Sequence, residues 1–243
     1  MNKIKWMGYE WLTQQQWGEF QNDNWFDEEA VELEYSAASL DINYLASETL
    51  SLKNRYKPKQ FPNTSNPIPI STGLISCTTH FGYGKFEIKA KLPSGPYTWP
   101  AFWMYAFESW PPEIDVFEGY TNKKGSYFNW SLRSLIGKFW RVDTNVYLGE
   151  KPIEYNLGGK SHWLGWKSPD KVFNKYGVIW SEKEIVFLFN DKPVRKITDE
   201  KYLSQFKGKT MNVIINNGSQ KEYLDTDMPE TELIVKYFKY EKL

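Results

Sequence analysis

Apolar and polar residues alternate with a period of two over much of this chain, and stretches of helical period are scarce. The clearest case is 85–92, where Phe86, Ile88, Ala90 and Leu92 alternate with Lys85, Glu87, Lys89 and Lys91. Successive side chains of a strand point to opposite faces, so this run predicts a strand with one dry and one wet face. The segments 176–180, 185–189, 211–216 and 232–240 read as further strands. Asn190-Asp191-Lys192-Pro193 supplies turn chemistry after the second of these. Residues 198–206 fit either one short helix or an irregular loop. Residues 55–70 hold Pro58, Pro62, Pro67 and Pro69 and predict a surface loop. Residues 148–172, with Gly158-Gly159 and Pro169, predict a second irregular stretch. Short strands between turn signals, with no internal repeat and no linker, predict a single all-β sandwich domain over 1–243.

One segment breaks the alternation. Glu113-Ile114-Asp115-Val116-Phe117-Glu118 places three carboxylates within six residues, separated by large apolar side chains. On a strand, Glu113 and Asp115 share a face while Ile114 and Val116 point the other way. Glu118, five positions from Glu113, falls on the apolar side unless one residue is inserted. A β-bulge near Val116-Phe117 restores it to the acidic face. Three carboxylates on one face repel one another, so at least one should keep its proton near neutral pH. A neutral acid beside an ionised carboxylate is what glycoside hydrolysis requires. Hard-cation binding and plain surface charge are the alternatives the spacing leaves open.

Composition narrows these. Aromatics make up 18% of the chain, with 12 Trp and 16 Tyr, more than core packing alone needs. Flat rings suit stacking on sugars; an aromatic-rich β core is the alternative. Thirty basic and thirty acidic residues balance, so no global field draws nucleic acid or an anionic membrane. The single Cys77 excludes an internal disulfide and reads as a small buried hydrophobe. His80 and His162 lack metal-ligand spacing. No stretch is long and apolar enough to span a membrane as a helix. The first twenty residues contain charge and many polar groups, so no secretory signal is visible. The sequons at Asn63, Asn129 and Asn217 matter only in a eukaryotic secretory pathway.

Three motifs in order carry a family likeness. Residues 83–93 (YGKFEIKAKLP), 99–104 (WPAFWM) and 113–118 (EIDVFE) together resemble glycoside hydrolase family sixteen. The likeness continues through 176–180, 190–194 and 211–216 and covers about two thirds of the chain. The resemblance implies a β-jelly-roll sandwich (concanavalin A-like) of two curved antiparallel sheets with a concave substrate cleft. It implies endo-acting cleavage of a β-linked polysaccharide with retained configuration, by a protein that is extracellular or periplasmic. Glu113 would be the nucleophile, Glu118 the acid/base, and Asp115 the group assisting both. The form with the extra Phe117 resembles the bulged branch, which includes laminarinases and algal galactanases. Retention places the two carboxyls about 5–5.5 Å apart, which inward-leaning Glu113 and Glu118 can reach.

Trp99, Trp103 and Trp110 flank the acidic strand. Trp103 and Trp110 are expected to touch sugar, while Trp99 fits core and cleft equally. Asn145 and Tyr147 are further expected contacts, the latter standing where many relatives carry His. Arg133 and Lys138 are expected either to read an anionic decoration or to be solvated charge. Trp163 and Trp166 either expose themselves on their loop or pin it down. Trp11, Trp17 and Trp25 read as edge-strand core or as extra subsites. Many relatives bind calcium through an Asp in the last strand; Lys236 stands there, so no metal and no cofactor are expected. A monomer acting on a polysaccharide is the expected state. A transglycosylase with the same intermediate, and a sugar-binding sandwich without catalysis, are the rival readings; the galactans among possible substrates include carrageenan, agar and porphyran, beside β-1,3-glucan.

Overall fold

The computed structural model of the chain describes residues 2–35, 48–127, 141–149, 160–163, 167–220 and 229–243. The described strands are β1 (Lys3–Trp6), β2 (Tyr9–Leu12), β3 (Phe20–Gln21), β4 (Asn24–Phe26), β5 (Val31–Tyr35), β6 (Glu48–Lys59), β7 (Ile68–Thr72), β8 (Leu74–Phe81), β9 (Gly84–Lys91), β10 (Thr98–Ala106), β11 (Glu113–Glu118), β12 (Arg141–Tyr147), β13 (Lys160–Trp163), β14 (Asn174–Trp180), β15 (Ile185–Phe189), β16 (Lys192–Ile197), β17 (Met211–Ser219) and β18 (Thr231–Lys242). They form two sheets. The first runs β1-β2-β8-β17-β10-β11-β12-β13, and the second β16-β15-β14-β9-β18-β6-β7-β4-β3 with β5 paired to β6. The β4–β7 pair is parallel, and the other pairs are antiparallel.

The alternation read from sequence sorts into this sandwich. Phe86, Ile88 and Ala90 of β9 face inward and are buried with Phe102 and Met104 of β10 and Val213 and Ile215 of β17. Phe238 of β18 crosses between the sheets, meeting Phe102 edge-on at 6.3 Å and Trp11 at 5.2 Å. Burying such apolar area contributes roughly 25 cal/mol per Å². Cys77 lies in this core, where burial pushes its thiol up to about 11, too high for a nucleophile. Asn190 and Asp191 both take positive φ (48° and 66°), forming the two-residue turn that joins β15 to β16. Residues 200–203 form one short helical turn, extended by a 3₁₀ turn over 204–206.

Two expected loops are shorter than their prolines suggested. β6 continues to Lys59 and β7 begins at Ile68, so only 60–67 connects them. Pro58 and Pro69 survive within strands because both fall in the irregularity between the Tyr56–Ile70 and Lys59–Ile68 pairs, where ladder donors are not needed. Within 148–172, residues 160–163 form β13 against β12.

Candidate active site

The acidic strand bulges where the parity argument requires it. On the β10 side Trp103 faces Asp115 and Phe102 faces Phe117, leaving Val116 as the extra residue. On the β12 side Asp115 faces Asn145 and Glu118 faces Asp143. Val116 and Phe117 are both buried in the core, where Phe117 packs 4.4 Å from Tyr176. The inserted residue turns Glu118 back to the face of Glu113 and Asp115. Gly119 then lets the chain pass tightly: a Cβ there would lie 3.1 Å from both Pro100 and Tyr127.

Register builds the floor of a cleft in three cross-strand rows. Tyr147, Glu113 and Tyr105 form one row. Asn145, Asp115 and Trp103 form the next. Asp143, Glu118, Ala101 and Asn216 form the third. All three carboxylates of the hexapeptide line one cleft of about 700 Å³, with Trp99, Trp103, Trp110 and Tyr147. Trp110 donates its indole N–H to Glu113 Oε2 at 2.6 Å. Trp99 and Tyr120 both donate to Glu118 Oε1, at 3.0 and 2.7 Å, and their rings stack 5.7 Å apart. Trp103 is held by its N–H to Asn216 Oδ1 at 2.9 Å.

The carboxylates differ in environment. Burial pushes Glu113 up to about 7, against the Trp110 and Asp115 hydrogen bonds, and the Glu118 charge adds to the rise. Burial, then the charges of Glu113 and Glu118, hold Asp115 well above the usual carboxylate range. Asp115 is 3% exposed and its Oδ2 has no partner among the described residues. A neutral Asp115 donating to an ionised Glu113 satisfies both groups. Burial also raises Glu118, the Tyr120 and Trp99 donors oppose it, and Asp143 reinforces it. Behind the strand, Arg195 donates to the Thr144 carbonyl at 2.7 Å, and its charge moderates the rise at Asp115.

A stability consequence follows from Glu113. Its raised folded pKa means its contribution is fully present below about 4.5 and is lost as pH rises through about 7. Glu113→Gln removes the charge and keeps an acceptor. It should stabilise the fold at pH 8 by on the order of 2 kcal/mol, several degrees in Tm, and by little at pH 4. Thermal melts of both proteins at the two pH values measure this difference.

The predicted residues separate in placement. Trp99, Trp103, Trp110 and Tyr147 line the cleft with the three acids. Asn145 is buried beside Asp115 and accepts from the Val146 N–H at 2.9 Å. It lies on the cleft face of β12 but not on the cleft wall. Arg133, Lys138, Asn129 and Trp166 fall outside the described residues, as does the side chain of Trp163. The N-terminal tryptophans divide: Trp11 and Trp25 are buried, whereas Trp17 is 52% exposed and lines the cleft. Lys236 is the extra residue of a bulge in β18, with its ammonium 4.4 Å over the Phe173 ring. A cation so placed does not suit a calcium site. Tyr120, Tyr105, Asp143 and Asn216 were missed. Tyr105 carried a usable signal, standing two residues beyond Trp103 on the same face of β10, whereas Tyr120 lies past the end of β11, where strand parity gives no face.

Aromatic side chains thus wall a cleft floored by three carboxyls on a two-sheet β-sandwich. The chain belongs to glycosyl hydrolases family 16, whose sequence pattern matches residues 10–231. It is 27% identical over 184 residues to the glucan endo-1,3-beta-glucosidase A1 of Niallia circulans, covering 72% of this chain and 25% of that protein. It is 29% identical to the galactan endo-beta-1,3-galactanase of Flammulina velutipes, covering 71% of this chain and 64% of that one. The chain thus spans about a quarter of the length of the first of these relatives. A Bacteroides ovatus mixed-linkage glucan family 16 protein, solved with bound product, shares the fold with a TM-score of 0.68 at 16% identity, over 99% of this chain and 97% of that one. Among the described residues no helix is long and apolar enough to cross a membrane.

Proposed function

We propose that the chain is a retaining endo-glycosidase that cleaves internal β-linkages of a polysaccharide by double displacement. The observation that carries this reading is the bulge at Val116, which gathers Glu113, Asp115 and Glu118 on one cleft face. Glu113 attacks the anomeric carbon as the glycosidic C–O bond breaks, and Glu118 gives its proton to the leaving oxygen. Water, deprotonated by Glu118, then attacks the same carbon and releases Glu113. Neutral Asp115 acts as a positioning residue, donating to Glu113 so that its attacking oxygen is oriented. The names of the Niallia and Flammulina relatives support endo cleavage of β-1,3-linked glucan or galactan. A polymer too large to enter a cell supports an extracellular or periplasmic protein.

The test is a polysaccharide screen read in two ways. Viscosity should fall early relative to reducing-end release, as internal cleavage requires. Proton NMR of the first-formed product should give the β-anomer before mutarotation; a first-formed α-anomer would mean inversion.

The donors to Glu118 give a pH test. Tyr120 and Trp99 stabilise its ionised form, so Tyr120→Phe should raise its pKa. The alkaline limb of kcat/KM should then move to higher pH by about one unit, the equivalent of a charge-assisted hydrogen bond. An unmoved limb would detach Tyr120 from the acid/base.

A further inference from the structure

The catalytic acids occupy one side of the cleft, and the N-terminal segment walls the other. Gln15 bridges to Gly18, closing a tight turn with Trp17 at its tip. Trp17 is half exposed, yet its ring is fixed edge-on at 4.7 Å from Tyr105 and lies 6.3 Å from Trp103. Gln15 is 1% exposed, ties the turn to β3 through its amide donating to Gln21 Oε1 at 2.8 Å, and has no partner for its own buried Oε1 among the described residues. Gln21, Asn22 and Asn24 extend the same wall. An exposed Trp held rigidly over a cleft costs solvation without helping the core, and a buried unpaired acceptor is equally unfavourable. Together they describe a surface awaiting an amphipathic ring with hydroxyl donors.

Charge sets the class of that ring. Among the described residues lining the cleft, the ionisable side chains are the three carboxyls and the tyrosines, with no Lys or Arg. The described wall around Trp17 offers amide side chains, from Gln15, Gln21, Asn22 and Asn24, which suit the hydroxyls of an uncharged sugar.

We propose that Trp17, with the Gln15–Asn22 amide wall, forms a distal binding subsite for an uncharged pyranose. This rests on the glycosidase reading and extends it. The subsite is built before substrate arrives, which limits the ordering cost of binding.

The experiment compares Glu113→Ala with the double variant Glu113→Ala/Trp17→Ala by affinity electrophoresis in laminarin, agarose and carrageenan, alongside wild-type turnover of each. The expected result is retardation by a neutral polymer and not by carrageenan, with retardation weakened roughly tenfold or more by Trp17→Ala at an unchanged thermal midpoint. Trp17→Phe should restore part of it. Unchanged affinity in the double variant, preferential binding of carrageenan, or retardation by none of the polymers overturns the subsite. Neutral-polymer binding that depends on Trp17 without any wild-type turnover leaves the subsite standing and removes the hydrolase reading. Intact turnover with no dependence on Trp17 does the reverse.

Discussion

Glu113→Ala should lower turnover of the β-linked polysaccharide by on the order of 10⁴-fold or more and leave the fold intact. Glu113 borders solvent at the cleft, so truncation opens space toward water rather than a void in the core. The loss is chemical, because without this carboxylate nothing attacks the anomeric carbon from its face. That space gives the prediction a sharper edge. Azide is small enough to enter it and can attack the same carbon as the glycosidic bond breaks. The expected product is a glycosyl azide of inverted configuration, since only one displacement has occurred. Rescue with retained configuration would assign Glu113 to the other role, and substantial activity without azide would remove it from the mechanism.

Glu118→Ala should have the second-largest effect, and its size should depend on the leaving group. A sugar leaves as a poor alkoxide and needs the proton, so cleavage of polymer should fall by about 10²–10⁴-fold. An aryl glycoside with an acidic phenol leaves unaided, so its first step should be nearly unchanged. The second step still lacks the base that deprotonates water, and the intermediate should accumulate as a burst. Azide, needing no base, should relieve this step and give a retained product. Trp99 and Tyr120 lose their shared acceptor in this variant, so a modest fall in Tm should accompany it. An equal loss on aryl and sugar leaving groups would contradict the acid role.

The sequence disclosed the site better than its surroundings. Strand alternation located β9, whose lysines mark its wet face, while short apolar runs located β14, β15 and β17, the last buried on both faces. The hexapeptide carried its own bulge signal: three acids, two parities and one extra apolar residue between them. What stayed hidden depends on tertiary pairing. The prolines of β6 and β7 sit in strands because their irregularities coincide across the ladder, a fact neither strand states alone. Asn145 shares a face with Asp115, but parity gives a face and not a depth, and neighbouring side chains cover it. Trp11, Trp17 and Trp25 are equivalent in sequence. Only the approach of the N-terminal turn to Tyr105 separates the exposed cleft residue from the two buried ones.

The central claim, that a bulged strand sets Glu113 as the attacking group opposite Glu118, is tested most directly by trapping the intermediate. A 2-deoxy-2-fluoro β-glycoside with a good leaving group slows the second step more than the first. Mass mapping of the digested protein is predicted to find the sugar esterified to Glu113. A label on Glu118, or turnover that yields the inverted anomer with no label at all, would contradict the account.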